Sequence, residues 1–384
     1  MFSTFTIIVC AALVLLALLS TLMNPFLRVP ISKTFSSSSE NSDEEKSSEP
    51  ISVIIIVNDD IQLLERNFPL LLQQEYEPGF QIIVVADKGN AQADDMVKRY
   101  RENAHLTSTF IPNTSRYISR EKLGITLGVK AAANEWCLLM NSNCYPTTTS
   151  WLEEIGKACH DDKNIVLGYS NYDKKSKAYQ RFYRLRHFSY LWRESLKGKT
   201  YAANEANLAF RKSEFINNDG FRGNLHIIRG EFDFIVNKLA KKGHTAVVTQ
   251  KESILLEKAP HKRQWHRRRL FYVHSCKFME RGFRHHVLPF LDTLFLHLSW
   301  VATVAAIVLS AVFADYIILA ASLLSLIILI VGRIIIDNKA IKAFNADISA
   351  WKLIPIEIFA IWHSLADRIR YYMADSYDFT CHKV

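Results

Sequence analysis

Side chains able to bind or transfer polar groups stand at the ends of apolar runs in this chain. Asp59 and Asp60 follow "ISVIIIV" (Ile51 to Val57), and Asp87 closes "FQIIVVAD" (Phe80 to Asp87). Short β-branched runs ending in a polar turn read as strands buried on both faces. Carboxylates at such ends accept hydrogen bonds only, which suits a polar ligand and a nucleotide above all. A third run, "EWCLLM", exits into Asn141-Ser142-Asn143. An amide carbonyl can ligate Mg2+ or Mn2+, but a pair of amides brings no charge to attract a dication. Further along, Glu231 and Asp233 of "RGEFDF" open a helical stretch, where acids are favoured by the helix dipole whatever else they do. The six Cys form no C-x-x-C and no His lies at metal-ligand spacing, so reduced, unpaired thiols are expected.

These side chains need a frame, and the order of elements supplies one. Between the first two strands Ile61–Gln74 reads as a helix, and another lies around Asp94–Asn103. Lys122–Ala133, "KLGITLGVKAAA", carries apolar residues at helical spacing and leads into "EWCLLM". Trp151–Cys159 is again helical, and "NIVLGYS" (Asn164 to Ser170) is a further strand. Strand and helix alternating at this spacing predict an α/β domain with a mostly parallel central sheet, helices on both faces and right-handed crossovers. Ligands of such sheets bind at the carboxyl ends of the strands. Tyr179–Lys199 alternates basic and aromatic residues; it is either a helix lying on a membrane surface or an amphipathic helix whose aromatics face the core.

Taken in order, "SVIIIVNDD", "IIVVADKGNAQADD", "KLGITLGVKAA", "LLMNSNCYPTTTSWL", "NLAFRKSEF…GF", "RGEFDF" and "RQWHRRR" resemble family 2 glycosyltransferases of the membrane-anchored kind. The resemblance runs from about Ile51 to Arg269 and implies a GT-A, Rossmann-like fold. It implies an inverting transfer of sugar from a nucleoside-diphosphate donor to a lipid-linked or polysaccharide acceptor. By that resemblance Asn58 and Asp59 meet the base and ribose, Asp87 accepts a hydrogen bond from the base, and Lys122 contacts phosphate. Asn141 and Asn143 stand where relatives carry an acid-x-acid pair that holds a divalent cation. Mg2+ or Mn2+ is therefore a weakly supported cofactor, with Asn143 its ligand if any. The catalytic base falls on Glu231, with Asp233 as its neighbour. Gln264 and Trp265 would line the acceptor path with Asn207, and Arg267 and Arg268 would meet the diphosphate. Loss of both acids also admits a catalytically silent relative with a scaffolding or regulatory role.

The remaining signals concern a membrane. Phe5–Met23 is an uncharged apolar run of spanning length, favoured as an anchor over a cleaved signal. Val287–Phe313 and Tyr316–Gly332 form a candidate hairpin, and Leu353–Ala366, interrupted by Pro355 and Glu357, either crosses or lies in the interface. The net charge of +9 sits beside these spans. Eight Lys or Arg against one Glu lie between His261 and His286, and Arg333, Lys339 and Lys342 follow the hairpin. Such a belt fits anionic lipid rather than nucleic acid. By the positive-inside rule it places both flanks of the hairpin, and the catalytic domain, on the cytoplasmic side of the inner membrane. The expected organisation is an anchor over 1–27, a Ser- and Glu-rich tether over 28–49, a glycosyltransferase domain over 50–270 and a basic, membrane-spanning part over 271–384.

Overall fold

The computed structural model describes residues 3–28, 49–57, 61–112, 119–197 and 199–380. Asn58, Asp59 and Asp60, and residues 29–48 of the expected tether, lie outside the described residues. The chain divides into two compact units, one comprising residues 1–31 and 281–365 and the other residues 32–280 and 366–384.

In the larger unit a seven-stranded sheet forms from the apolar runs. Its strands are β1 (Ile51–Ile56), β2 (Phe80–Asp87), β3 (Leu106–Ile111), β4 (Trp136–Asn141), β6 (Ile165–Leu167), β8 (Leu208–Arg211) and β9 (Thr245–Val247). Their order is β3-β2-β1-β4-β8-β6-β9. β1 runs parallel to β2 and β4, β2 to β3, and β6 to β9; β8 alone opposes its two neighbours. Every residue of β1 is buried, Ser52 included, as a strand covered on both sides must be. The flanking helices are α2 (Ile61–Leu72), α3 (Ala91–Arg99), α4 (Arg120–Ala131), α5 (Trp151–Gly156), α6 (Ala178–Lys197), α7 (Lys212–Asn217), α8 (Glu231–Leu239) and α9 (Lys262–Ser275). α4 lies so close to the sheet that a Cβ at Gly128 would come 2.5 Å from Ile54 Cγ2, which is why its helix carries glycine there.

A second, three-stranded sheet is built from β5 (Cys144–Pro146), β10 (Leu255–Glu257) and β7 (Ser170–Tyr172), with β10 central. "NIVLGYS" is therefore not one strand. It gives β6 to the large sheet and leads to β7 of the small one, and the chain crosses between them at Gly168. Any Cβ at Gly168 would fall 2.3 Å from the amide of Asn207. Strand β3 goes unread in the sequence because "LTSTFI" is a half-buried edge strand rich in hydroxyls, without a continuous apolar run. In α6, Phe182, Leu185, Phe188, Leu191 and Trp192 are buried, so of the two readings of this basic-aromatic stretch the core-facing helix is the one observed.

Among the described residues, three helices are long and apolar enough to cross a membrane: Thr4–Met23, Phe283–Val312 and Tyr316–Ala343. They correspond to α1 (Thr4–Met23), α10 (Phe283–Val312), and α11 (Tyr316–Ile327) continuing through a π-turn at Ile328–Gly332 into α12 (Arg333–Ala343). The last span thus extends eleven residues beyond the Gly332 expected from the sequence. Its continuation corrects the reading of Arg333 as part of a basic flank. Arg333 is fully enclosed, its Nε 2.8 Å from Glu357 Oε2 and its Nη2 3.3 Å from Asp292 Oδ1, and it donates to the Ser20 hydroxyl at 3.1 Å. Nearby, Asn24 donates to Asp337 Oδ1 at 2.7 Å. Glu357 belongs to α13 (Leu353–Met373), a helix that starts where the weaker apolar stretch was read and runs past its expected end at Ala366.

Candidate active site

Where the strand order turns from β1 toward β4 instead of continuing through β2, an open α/β sheet has a switch point, and ligands enter the crevice beyond the strand ends there. Asn141 ends β4 beside Ile56, the last residue of β1. Asp87 ends β2, half-exposed and ion-paired with Arg120 in the first turn of α4, with Arg120 Nε at 3.1 Å. Asn141 and Asp87 are therefore on the same rim, two strands apart.

From Asn141 the chain enters β5, and the side chain of Asn143 meets the small sheet. Its amide nitrogen donates to Glu257 Oε1 at 2.8 Å. Glu257, the last residue of β10, is paired across the sheet with Cys144 and Tyr172 and has no exposed surface. A carboxylate so enclosed needs partners. Arg184 of α6 and Arg268 of α9 supply them, one on each carboxylate oxygen. Burial alone would raise the Glu257 carboxyl, but Arg268 and Arg184 outweigh it and hold the group at about 2. The Arg184 guanidinium also stacks on Tyr172, 4.4 Å from the ring centre. Glu205, in the segment before β8, completes the group: it is 3.0 Å from Arg184 and 3.6 Å from Arg268, and its backbone carbonyl accepts from Asn141 at 3.4 Å.

This arrangement bears on a metal. The amide at position 143 is required as a donor to Glu257, and the carboxylate it meets is taken by two guanidinium groups, which repel a dication. Among the described residues no three His, Cys, Asp or Glu side chains cluster as a metal would need. The residues present at 141, 143 and 257 do not fit a divalent cation.

Beside the network lies a pocket between α6, α8 and α9. Gln180, Tyr183, Arg184 and His187 face it from α6, and Trp265, Arg268, Arg269 and Tyr272 from α9. Both sets are spaced i, i+3, i+4, i+7, one stripe of each helix. That periodicity was present in the sequence; two facing stripes become visible only when the helices are placed. Asp233 closes the pocket from the first turn of α8, its Oδ1 accepting from the Ala203 backbone N–H at 3.0 Å. Removal from water raises the Asp233 carboxyl to about 7; Glu205 and Glu231 push the same way, against the Ala203 hydrogen bond. His187 is held at about 4, chiefly by burial, with Arg269 and Arg184 adding to it. It is neutral at neutral pH.

Most other sequence candidates lie elsewhere. Glu231, two residues before Asp233, points to another side of α8, because residues i and i+2 do not share a helix face. It is buried toward Arg229, 3.8 Å away. Gln264 and Arg267 are exposed, the latter over the Phe271 ring. Lys122 is fully enclosed, its ammonium donating to the Asn224 and Ile227 carbonyls at 2.7 Å each and lying 4.6 Å from the Phe234 ring centre. Asn207, enclosed and in a left-handed conformation at φ 66°, donates to the Tyr169 and Ser253 carbonyls and accepts from Trp151 Nε1. These two side chains are occupied in holding the fold. Sequence reading did not single out Arg184, Glu205, Glu257 or Arg269, although Arg269 ends the quoted "RQWHRRR" and Arg184 lies in the basic-aromatic stretch Tyr179–Lys199.

Comparison with solved structures gives the architecture a precedent. A mannosyltransferase from Pyrobaculum calidifontis, solved with GDP-Man and Mn2+, is similar over 90% of this chain and 99% of its own, at 16% identity and a TM-score of 0.51. The fold is a glycosyltransferase fold. Residues 1–349 of S. aureus TarS, solved with UDP-GlcNAc, align over 83% of this chain and 89% of theirs, at 13% identity and a TM-score of 0.42. Neither a protein-family model nor a curated protein sequence matches the chain.

Proposed function

We propose that the chain is a membrane-anchored, inverting glycosyltransferase of family 2 and GT-A type, in which the acid-x-acid pair has become Asn141-Ser142-Asn143. The observation that carries this reading is Asp233. Within a glycosyltransferase fold, a carboxyl group with a value near 7 faces a pocket walled by Trp265 and three arginines. A base works best when it titrates near the working pH. In the proposed reaction an acceptor hydroxyl attacks the anomeric carbon from the side opposite the nucleoside diphosphate. Its proton passes to Asp233, and the bond from the anomeric carbon to the phosphate oxygen breaks with its electron pair on the leaving diphosphate. In-line attack of this kind inverts the centre.

Asp233 takes precedence over Glu231 as base because it, and not Glu231, faces the pocket. The nucleoside is assigned to the rim carrying Asp87 and Asn141. Trp265, with Tyr183 and Tyr179 set edge-on to it at 6.1 and 5.2 Å, is an apolar part of the pocket wall, to which we assign contact with a sugar ring. The three apolar helices support a membrane anchor and, with the basic residues before α10, a lipid-linked acceptor at the cytoplasmic face of the inner membrane. Titrating the full chain in detergent with UDP and GDP, with and without Mn2+, tests the reading. Binding of one nucleotide without need of the cation is expected, and binding of neither would overturn it.

A second reading, a silent relative that scaffolds an active transferase, is favoured by the committed state of Asn143, whose amide is bound to Glu257. Turnover by the unmodified chain excludes it; turnover found only after Asn141→Asp and Asn143→Asp would establish it.

A further inference from the structure

Arg184 and Arg268 bring two positive charges to one wall of the pocket. One is balanced by Glu257. That carboxylate is fixed: it ends the central strand of the small sheet, has no exposed surface, and accepts from Asn143 as well as from both arginines. The other is balanced by Glu205, whose situation differs on every count. Its side chain is 49% exposed, against 5% for Arg184. Its backbone holds φ 60°, a left-handed conformation that L residues other than Asn and Asp rarely adopt. It reaches Arg184 through a single contact at 3.0 Å and Arg268 at 3.6 Å. Arg184 also keeps a donor in reserve, for its Nε–H is enclosed and has no hydrogen-bond partner. A guanidinium with an unused N–H beside a replaceable carboxylate is equipped for a second, multidentate anion.

We infer that the Glu205 carboxylate holds, between Arg184 and Arg268, the place of a phosphate or diphosphate group and is displaced when that anion arrives. The inference rests on the transferase reading for its biological setting but not for its chemistry. Two sources could supply the group: the nucleoside diphosphate of the donor, or the phosphate head of a lipid-linked acceptor. Displaced, Glu205 would swing into solvent, while Glu257 and Asn143 keep the guanidinium planes in position. Lysine at 184 would keep the charge and lose the planar fork, so Arg184→Lys separates the two contributions.

Binding of inorganic pyrophosphate to the full chain in detergent, followed calorimetrically at low and moderate salt, tests this. Glu205→Gln is expected to tighten binding about fivefold, the most that one half-exposed charge pair provides, and to do so less at higher salt. Arg184→Lys should weaken it, and the gain from Glu205→Gln should vanish when combined with Arg184→Gln. Unchanged or weaker binding by Glu205→Gln would overturn the inference, as would a gain that survives Arg184→Gln. Because Glu205 is half exposed, its substitution does not threaten folding, and the first comparison, Glu205→Gln against the parent chain, does not depend on the buried arginines being replaceable. Repeating the comparison with UDP, GDP and geranyl diphosphate identifies the source by which ligand shows the gain. Should pyrophosphate behave as expected while neither nucleotide binds, the site stands and the transferase reading falls.

Discussion

Two buried guanidinium–carboxylate networks, one from each compact unit, differ in the way that matters for function. In the smaller unit Arg333 meets Glu357 and Asp292, with Asp337 close by on Asn24; all three carboxylates and the guanidinium are enclosed, with at most 1% of any side chain exposed. In the larger unit two guanidinium groups meet two carboxylates, and one of those, Glu205, is half exposed at the wall of a pocket. A network closed on all sides holds helices together and cannot exchange a member without leaving a charge unpaired. A network with one exposed member can trade that member for a ligand. Similar residue types thus give a fastening in one place and a candidate binding site in the other.

The contrast breaks most readily at Arg333. Replacing it by Met removes the guanidinium from three carboxylates in an apolar unit, and a loss of about 3–5 kcal/mol is expected, as for other buried pairs deprived of one partner. Thermal unfolding in detergent measures it. Glu205→Gln, at the exposed edge of the other network, should move the same transition by less than about 1 kcal/mol. Comparable shifts for the two would remove the distinction.

Next in size is Asp233→Asn. If Asp233 is the base, turnover should fall by about 10²–10⁴-fold while nucleotide affinity is kept, since proton abstraction and not binding is lost. Glu231→Gln, on another side of α8, should leave turnover within a few-fold of the parent. A reversed ranking of these two variants would return the base to Glu231.

How much of this was legible beforehand depends on where the information lies. The buried strands β1, β2 and β4 each carry a continuous apolar run, so their presence and parallel arrangement could be read, and Asp87 and Asn141 at their ends with them. The stripe of α9 holding Trp265 and Arg268 sits inside a conspicuous basic segment. Glu257, by contrast, follows an apolar run of only three residues, Ile254 to Leu256, and Glu205 is a single acid between Asn204 and Ala206. What distinguishes them is the meeting of β10 with β5 and of α6 with α9, contacts across as many as 114 residues of chain that no local pattern records. The same holds for Lys122 and Asn207. Their polar side chains suggest ligands, and only the fold shows carbonyl groups already consuming their donors.

Asn143→Asp sharpens the comparison from within the open network. It replaces a donor to Glu257 with a second carboxylate at about hydrogen-bond distance, so it should cost roughly 1–3 kcal/mol. Glu257→Gln in the same chain should recover most of that loss, because an amide can donate to the new acid. Failure of the second change to rescue the first would mean that the 2.8 Å contact contributes little. The pair also explains why an amide can persist here: with Glu257 fixed by two arginines, an acid at 143 has no partner to accept from.

The last expected effect concerns pH, and Asp233 should produce two opposite trends at once. Its folded value of about 7 lies above its ordinary 3.8 because burial disfavours the charged form. Folding therefore favours the protonated group, and its contribution to stability is complete below about pH 4 and is lost as pH rises through about 7. Activity should run the other way, rising through the same interval as the base is freed, with no contribution from His187, which is held at about 4. Unfolding transitions recorded between pH 4 and 8 should slope downward in the parent chain and flatten in Asp233→Asn, while the parent's turnover climbs to a plateau. An activity limb near pH 7 that persists unchanged in the residual turnover of Asp233→Asn would assign the titration, and with it the base, to another group.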